Sequence, residues 1–482
     1  TDVRGDADRV LLMVDIVFPK SSAPGERPQE AGGRLINAFS RDMPEGAPSN
    51  YAILRTPGLL RKNILATDIH TRGFLDCGAT LLWAVNDKLY AVDGGFNPTS
   101  LGALAGTAPI TMARNFNATP QNLAVTENGC FVLTTSGAPV AYSDPDLPAS
   151  PTSVCEFDGY FIWTFGSGGI WASDLNQTSI ASNSFAVEQG LFIRRGVRFK
   201  GRFFAFGDKW TSVWRDAGTV PFPLDREAVI PRGIAGTFAV AGWEVGWSNE
   251  LIWVGDDYNV YQLQGYTPLM ISTPDVARMI QTAALAGDKG KLEASVFMAG
   301  RNAFWALTYP GNWTWVFNLT TSRWHELQSY NRLDWKGRRS VRMFDRWVIG
   351  AAATGELFEL GPNYFFEGVD PLIWEAQSGV VAGFPNGVVI PRASFHVTTG
   401  VGDNISVDPK IQISWSLDGG HSYGNPVTRS LGGAGYTKSH PYIIGCGLSR
   451  GQGVRFKLRV SDQVHVQLQG GAVEPQNAGP SG

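Results

Sequence analysis

The chain has 482 residues, 43% of them hydrophobic and 17% charged, which provides for a sizeable core and excludes a wholly disordered polymer. A formal charge of −3 excludes the basic excess of a tight duplex-DNA binder. The longest apolar run, Val10 to Phe18 broken by Asp15, is too short to cross a bilayer, and its acidic flank does not suit a signal peptide, so no membrane insertion is expected.

The chain begins at Thr1, read as loss of an initiator Met. Arg9 to Phe18 reads as one strand. Pro19 to Gly33, with Ser21, Pro24, Gly25 and Pro28, reads as an extended arm laid on a neighbour or left as a loop. Residues 1–60 therefore form a leading segment of strand and arm.

From Leu81 a β-hairpin recurs, each with apolar or aromatic arms and a turn of Gly, Asn, Asp or Pro. Leu81 to Val92 turns at Asn86-Asp87-Lys88, and Cys130 to Tyr142 at Ser136-Gly137. Phe157 to Asp174 turns at Gly166 to Gly169, and Phe199 to Trp214 at Gly207-Asp208. Leu251 to Leu263 turns at Gly255-Asp256-Asp257. Ala303 to Leu319 turns at Pro310-Gly311-Asn312, and Phe344 to Leu360 at Thr354-Gly355. A repeat every few tens of residues is the spacing of propeller blades. A blade cannot bury both faces alone, whereas a ring of blades can, with Trp and Phe filling the gaps. The expected fold is all-β: a β-propeller of six or seven blades over 61–388. Stacked sandwich sheets are the competing arrangement.

Pro274 to Gly290 predicts one helix, capped by Asp275, with Val276, Met279, Ile280 and Ala283 on a shared face and Gly287 at its end. Beyond Val389 the alternating stretches Ser394 to Thr399, Lys410 to Leu417 and Gly453 to Val460 predict a separate β-sandwich-like domain over 389–470. Residues 471–482 read as a polar, flexible tail.

Ser416, Asp418, Gly420 and Tyr423 fit the Asp-box pattern of sialidase-like propellers, in which the Asp bonds turn amides and the aromatic packs beneath; it is read as a structural turn. The pairs Asp256/Asp257 and Asp144/Asp146 lie in turns, where Asp serves the backbone. The six histidines lack metal-ligand spacing, and Gly166 to Gly169 precedes a strand rather than a helix. No catalytic residue, metal or cofactor is expected. Cys77, Cys130, Cys155 and Cys446 read as free thiols, consistent with synthesis in a reducing cytoplasm. Two basic clusters remain. Arg194, Arg195 and Arg198, with Lys200 and Arg202, form one; Lys336, Arg338, Arg339 and Arg342, with Arg346, form the other. They are read as exposed turn charges or as contacts to a channel or a partner.

Several pieces, taken in order, carry a family resemblance. They are Ile36-Asn37-Ala-Phe39, Arg55-Thr-Pro-Gly-Leu59, Ser173 to Asn176, Phe206-Gly207 with Trp214, Trp253 to Asp257, Gly265 to Pro268, Trp324-His-Glu326, Gly400-Val-Gly402, Ser416 to Gly420 and Arg455 to Asp462. Together the chain resembles the packaged-DNA stabilisation, or tail nozzle, proteins of short-tailed bacteriophages. The stretch Ser40-Arg41-Asp42 departs from the family's first signature, in which an acidic residue soon follows the Asn. The resemblance implies a structural virion protein, a homo-oligomeric ring of six copies. It would contact a portal-side adaptor and distal tail proteins, with genomic double-stranded DNA passing through without sequence specificity. The alternatives are a carbohydrate-active propeller enzyme, which needs repeated Asp boxes and a central cluster of Arg and carboxylates, and a cellular propeller scaffold.

Overall fold

A computed structural model describes residues 13–67, 70–381, 386–438 and 440–480. The chain divides into two compact units. One comprises residues 57–322 and 331–369; the other comprises 1–56, 323–330 and 370–482. The expected divisions at 60/61 and 388/389 differ from this partition.

The first unit is a β-propeller with seven blades among the described residues. Five are four-stranded antiparallel sheets, running in order through 71–103, 111–142, 153–187, 193–230 and 240–270. The sixth has three strands in this unit, Glu293–Ala299, Asn302–Tyr309 and Trp313–Asn318. The seventh joins Gly337–Met343, Arg346–Ala351 and Thr354–Gly361 to the early strand Gly58–Thr67, which pairs antiparallel with Thr354–Gly361 as its fourth strand, with the short strand Phe366–Glu367 beyond it. Gly58 permits this closure: a Cβ there would lie 2.3 Å from the Tyr364 carbonyl oxygen and 2.5 Å from that of Phe366.

Each predicted hairpin marks one blade. In six blades it is the central strand pair. In the second it is the outer pair, Gly129–Leu133 with Val140–Tyr142, because Asn122–Thr126 has no aromatic residue to mark it. The cores lie between blades, as the aromatic spacing requires. Leu81, Trp83 and Val85 of the first blade pack with Met343, Val348 and Leu357 of the seventh, closing the ring. Ala113, Leu123 and Val125 pack with Val154, Phe161 and Trp163. The Phe206 and Trp253 rings meet at 5.6 Å between the fourth and fifth blades.

The single α-helix among the described residues, α1 (Pro274–Leu285), connects the fifth and sixth blades and buries Val276, Ile280 and Ala283. Its N-cap is Thr273, whose hydroxyl accepts from the Val276 N–H; Asp275 instead pairs with Arg278 at 2.6 Å. Asp275 therefore sits inside the first turn of the helix, where its charge still favours the N-terminus.

The second unit is a sandwich-like pair of sheets. One orders Ala38–Asp42, Tyr51–Arg55, Gln467–Val473, Arg392–Val397 and Tyr442–Ile444, with Val14–Ile16 also pairing with Gln467–Val473. The other runs from Arg323–Leu327 through Arg34–Ile36, Trp374–Gln377, Arg455–Val460 and Lys410–Ser416 to Val427–Ser430. Ile16, Phe18, Leu35, Ala38 and Ile53 share one core with Trp374, Phe395, Ile411, Ile413, Phe456 and Leu458. The predicted independent domain over 389–470 thus lacks part of its core unless the leading segment joins it. Its three predicted strands are observed at Arg392–Val397, Lys410–Ser416 and Arg455–Val460.

Three further expectations change. Of the strand expected over Arg9–Phe18, Val14–Ile16 is observed and residues 9–12 lie outside the described residues. The Pro19–Gly33 arm lies on its own chain: the Ser22 N–H donates to the Trp324 carbonyl at 2.8 Å, the Ser22 hydroxyl to Glu326 at 2.8 Å, and Ala23 bridges Gly33. These bonds give the arm partners within its own unit. In the segment read as a flexible tail, Gln476–Pro480 pairs as a strand with Asn386–Val389.

Candidate functional site

The innermost strands of the first, fourth and seventh blades each carry a β-bulge at their start. The register shifts fall between Thr71 and Gly73, Ile193 and Arg195, and Gly337 and Arg339. The residue left unpaired is an arginine each time: Arg72, Arg194 and Arg338. A bulge re-aims the side chains around it. Arg72 donates to the carbonyls of Ala108, Asn86 and Leu104 at 2.7–2.8 Å, fastening the link between the first two blades. Arg338 grips Glu293 of the sixth blade through Nε at 2.7 Å and through Nη2.

The residues after two of these bulges, Arg195 and Arg339, reach one cavity on the propeller axis. It has a volume of about 160 Å³ and is lined by inner-strand residues of several blades, including Ile110, Met112, Phe238, Trp243, Glu244 and Ser340. Both guanidinium groups lie against the Phe238 ring, that of Arg195 at 5.3 Å and that of Arg339 at 4.7 Å from its centre. Trp243 flanks Arg195 at 5.5 Å. Arg339 reaches Glu293 at 3.0 Å, so Glu293 serves two arginines, and their charge holds its carboxyl below the usual range despite burial. Burial pushes the Arg195 guanidinium down to about 10, and the nearby charge of Arg339 acts in the same direction. Burial pushes Glu244 up to about 7; its Oε2 accepts the Gly242 N–H at 2.6 Å.

The two basic clusters, far apart in sequence, thus converge through Arg195 and Arg339. Their other members do not. Arg194 stacks on Phe192 at 5.0 Å, and Arg198 pairs with Glu156 at 2.7 Å. Lys200 lies 3.8 Å from Glu250, and Arg202 pairs with Glu227. Lys336 donates to the Glu367 carbonyl at 3.2 Å, and Arg346 pairs with Glu359 at 3.0 Å. Arg342 lies over Gly246, where a Cβ would come within 2.2 Å of its Cδ. A second, open cleft of about 840 Å³ is lined by Arg114, Arg195, Arg198 and Lys200 with Asp76 and Glu156, beside the exposed Phe116 and Val245.

The carboxylate pairs serve turns. Asp256 accepts the Gly233 N–H at 3.0 Å, and Asp257 accepts the Tyr261 hydroxyl at 2.6 Å. Asp144 accepts the Asp146 N–H at 2.9 Å, and Asp146 accepts the Ser182 hydroxyl at 3.2 Å. The Asp-box stretch follows the strand Lys410–Ser416. The Ser416 hydroxyl donates to Asp418 at 2.6 Å and accepts the Gly420 N–H at 2.7 Å, and the Ser422 N–H donates to Asp418 at 3.0 Å. Tyr423 lies beneath Lys457, 4.3 Å from its ammonium. These donors hold the Asp418 carboxyl far below its ordinary value, against the opposing effect of desolvation.

The resemblance-bearing residues of the second unit act as clamps. Asn37, at φ +50°, donates through Nδ2 to the carbonyls of Gln328 at 2.7 Å and Ile373 at 2.8 Å. Arg55 donates to the carbonyls of Asp462, Val460 and Val464 at 2.6, 2.8 and 2.9 Å. Glu326 accepts a bidentate pair from Arg34 at 2.8 and 2.6 Å.

Over residues 78–364 the sequence matches the family described as Bacteriophage P22 Gp10, beta-propeller. The chain belongs to this family. The matched region opens within the first blade and ends just past the seventh, so the propeller of this Gp10-family member carries the match. No curated protein matches the sequence. Among solved structures, virginiamycin B lyase from Staphylococcus aureus is similar at 9% identity and TM-score 0.44, covering 63% of this chain and 99% of the lyase. The WD40 β-propeller domain of Doa1 is similar at 8% identity and TM-score 0.42, covering 63% of this chain and 96% of that domain.

Sequence reading missed Phe238, Trp243, Glu244 and Glu293. The one local signal was Gly242-Trp-Glu-Val-Gly246, where an acid stands beside Trp between glycines of a predicted blade.

Proposed function

We propose that this chain is the nozzle subunit of a short phage tail, present in the virion as a ring of six copies below a portal-side adaptor. It extends the channel through which the genome is held and later ejected. Membership of the Gp10 propeller family is the observation that carries this reading.

The axial cavity refines it. A space of about 160 Å³, lined by Phe238 and two arginines, holds roughly five waters and has no room for a DNA duplex. DNA would therefore run between copies, against their outer loops, and not through any one propeller. Weak, sequence-independent contact suits a channel that must release its contents, and a chain of formal charge −3 is compatible with it. The cleft bearing Arg114, Arg198 and Lys200 is the candidate contact surface.

The protein is read as a non-enzyme: the carboxylates that a glycosidase would need are held by turn backbone and hydroxyl groups. Cryo-electron microscopy of the assembled tail tests the reading. Six copies around a DNA-wide channel are expected; a single central copy, or DNA absent from the ring's lumen, would overturn it.

A further inference from the structure

The axial cavity carries more positive charge than its carboxylates neutralise, and we propose that it binds one small oxyanion, a phosphate or a carboxylate, between Arg195 and Arg339. The inference does not rest on the tail reading; it concerns the interior of one propeller.

The argument starts from Arg195. Its Nε and Nη1 are buried and have no hydrogen-bond partner. Among the described residues no carboxylate lies within ion-pair distance of it. Arg195 as a whole is half-buried, but two of its N–H groups are shut off from water without an acceptor, which is costly, and buried charges are normally paired. The neighbouring charge is of the same sign: Arg339 lies 4.7 Å from the centre of the same Phe238 ring. Glu293 does not relieve Arg195, because it is occupied by Arg338 and Arg339. Glu244 lines the cavity but is directed at the Gly242 N–H, and burial favours its neutral form.

An oxyanion supplies what is missing. It accepts the fork of N–H groups that a guanidinium presents and lowers the repulsion between the two arginines. A protonated Glu244 would be able to donate to it. The cavity of about 160 Å³ corresponds to roughly five waters at ~30 Å³ each, enough for a tetrahedral or planar oxyanion with some water. Phe238 and Trp243 hold the guanidinium planes, which restricts the ligand to a small anion approaching from the open side.

The test is calorimetric titration of the purified full chain with inorganic phosphate and, separately, acetate, in sodium chloride of matched ionic strength. One saturable site per chain is expected for at least one of them, and the anion that binds identifies the class. Arg195→Gln and Arg339→Gln should each weaken binding at least tenfold. Arg194→Gln, which alters the adjacent side chain stacked on Phe192, should leave it unchanged. Absence of saturable binding by the unmodified chain, or binding that both cavity variants retain, would overturn the proposal. If the glutamine variants do not fold, Arg195→Lys, which keeps the charge but loses the fork, should bind less tightly, and an affinity equal to that of the unmodified chain would overturn the proposal.

Discussion

Asn37 and Gln328 hold each other through two hydrogen bonds: the Asn37 Nδ2 donates to the Gln328 carbonyl at 2.7 Å, and the Gln328 N–H donates to the Asn37 Oδ1 at 2.9 Å. Asn37 is fully buried and adopts φ +50°, a conformation that Asn tolerates better than most residues. Replacing it by Ala leaves half-buried backbone groups of Gln328 and Ile373 without these bonds and adds backbone strain. Asn37→Ala is expected to destabilise its unit by ~2–4 kcal/mol in chemical denaturation. Asn37→Gly, which removes the strain but not the lost bonds, should recover only part. An effect below about 0.5 kcal/mol for Asn37→Ala would show that the clamp is dispensable.

Arg55 offers a parallel case. It ties together carbonyls at 460, 462 and 464, and burial brings its guanidinium down to about 9. Arg55→Met keeps much of the packing but takes the Arg55 bonds from three carbonyls, of which that of Asp462 keeps the Val464 N–H, so a loss of ~2–4 kcal/mol is expected. Arg55→Lys should fall between the two. Equal stability of the Met variant and the parent would refute the role.

Segment 389–470 expressed alone should not fold. The core it needs is completed by Ile16, Phe18, Leu35, Ala38 and Ile53, and its Gln467 and Leu468 pair with Leu54 and Ile53. Adding residues 13–56 through a linker, with 371–388 and 471–480, should restore dispersed NMR signals. A folded isolated segment would mean that the shared core is not required.

Two desolvated groups, the buried His325 and the half-buried Glu244, give opposite pH dependences. His325 is pushed down to about 3 from 6.5 by burial. Between those values the unfolded chain binds more protons, so the stability contributed by neutral His325 is lost as pH falls from 6.5 towards 3. The slope is at most about 1.4 kcal/mol per pH unit. Glu244 is raised from 4.5 to about 7. There the folded chain binds more protons, so its contribution is complete below 4.5 and lost as pH rises through 7. Hydrogen exchange followed by peptide between pH 4.5 and 6.5 should show the unit containing His325 gaining protection with pH, while the propeller loses it. Exchange rates corrected for intrinsic pH dependence are the quantity to compare. His325→Gln and Glu244→Gln should each flatten the corresponding slope; unchanged slopes would refute the assignments.

What the sequence determined by itself was local. Alternating apolar residues and turn chemistry at Asn86-Asp87 or Pro310-Gly311-Asn312 specify hairpins, and their recurrence specifies blades, because these signals lie within a few residues of one another. The tertiary structure decided everything that depends on distant segments meeting. Gly58–Thr67 completes the seventh blade only because ring closure brings it to Thr354–Gly361. The leading segment shares a core with the end of the chain, although neither segment's pattern names the other. Arg195 and Arg339 read as surface charge within two basic runs. A bulge before each, and the convergence of inner strands on one axis, places both beside Phe238. Residue type and spacing encode strand and turn through short-range sterics and hydrophobic periodicity. Which strands become neighbours, and which charges are stripped of water together, follows from burying the faces of seven blades at once.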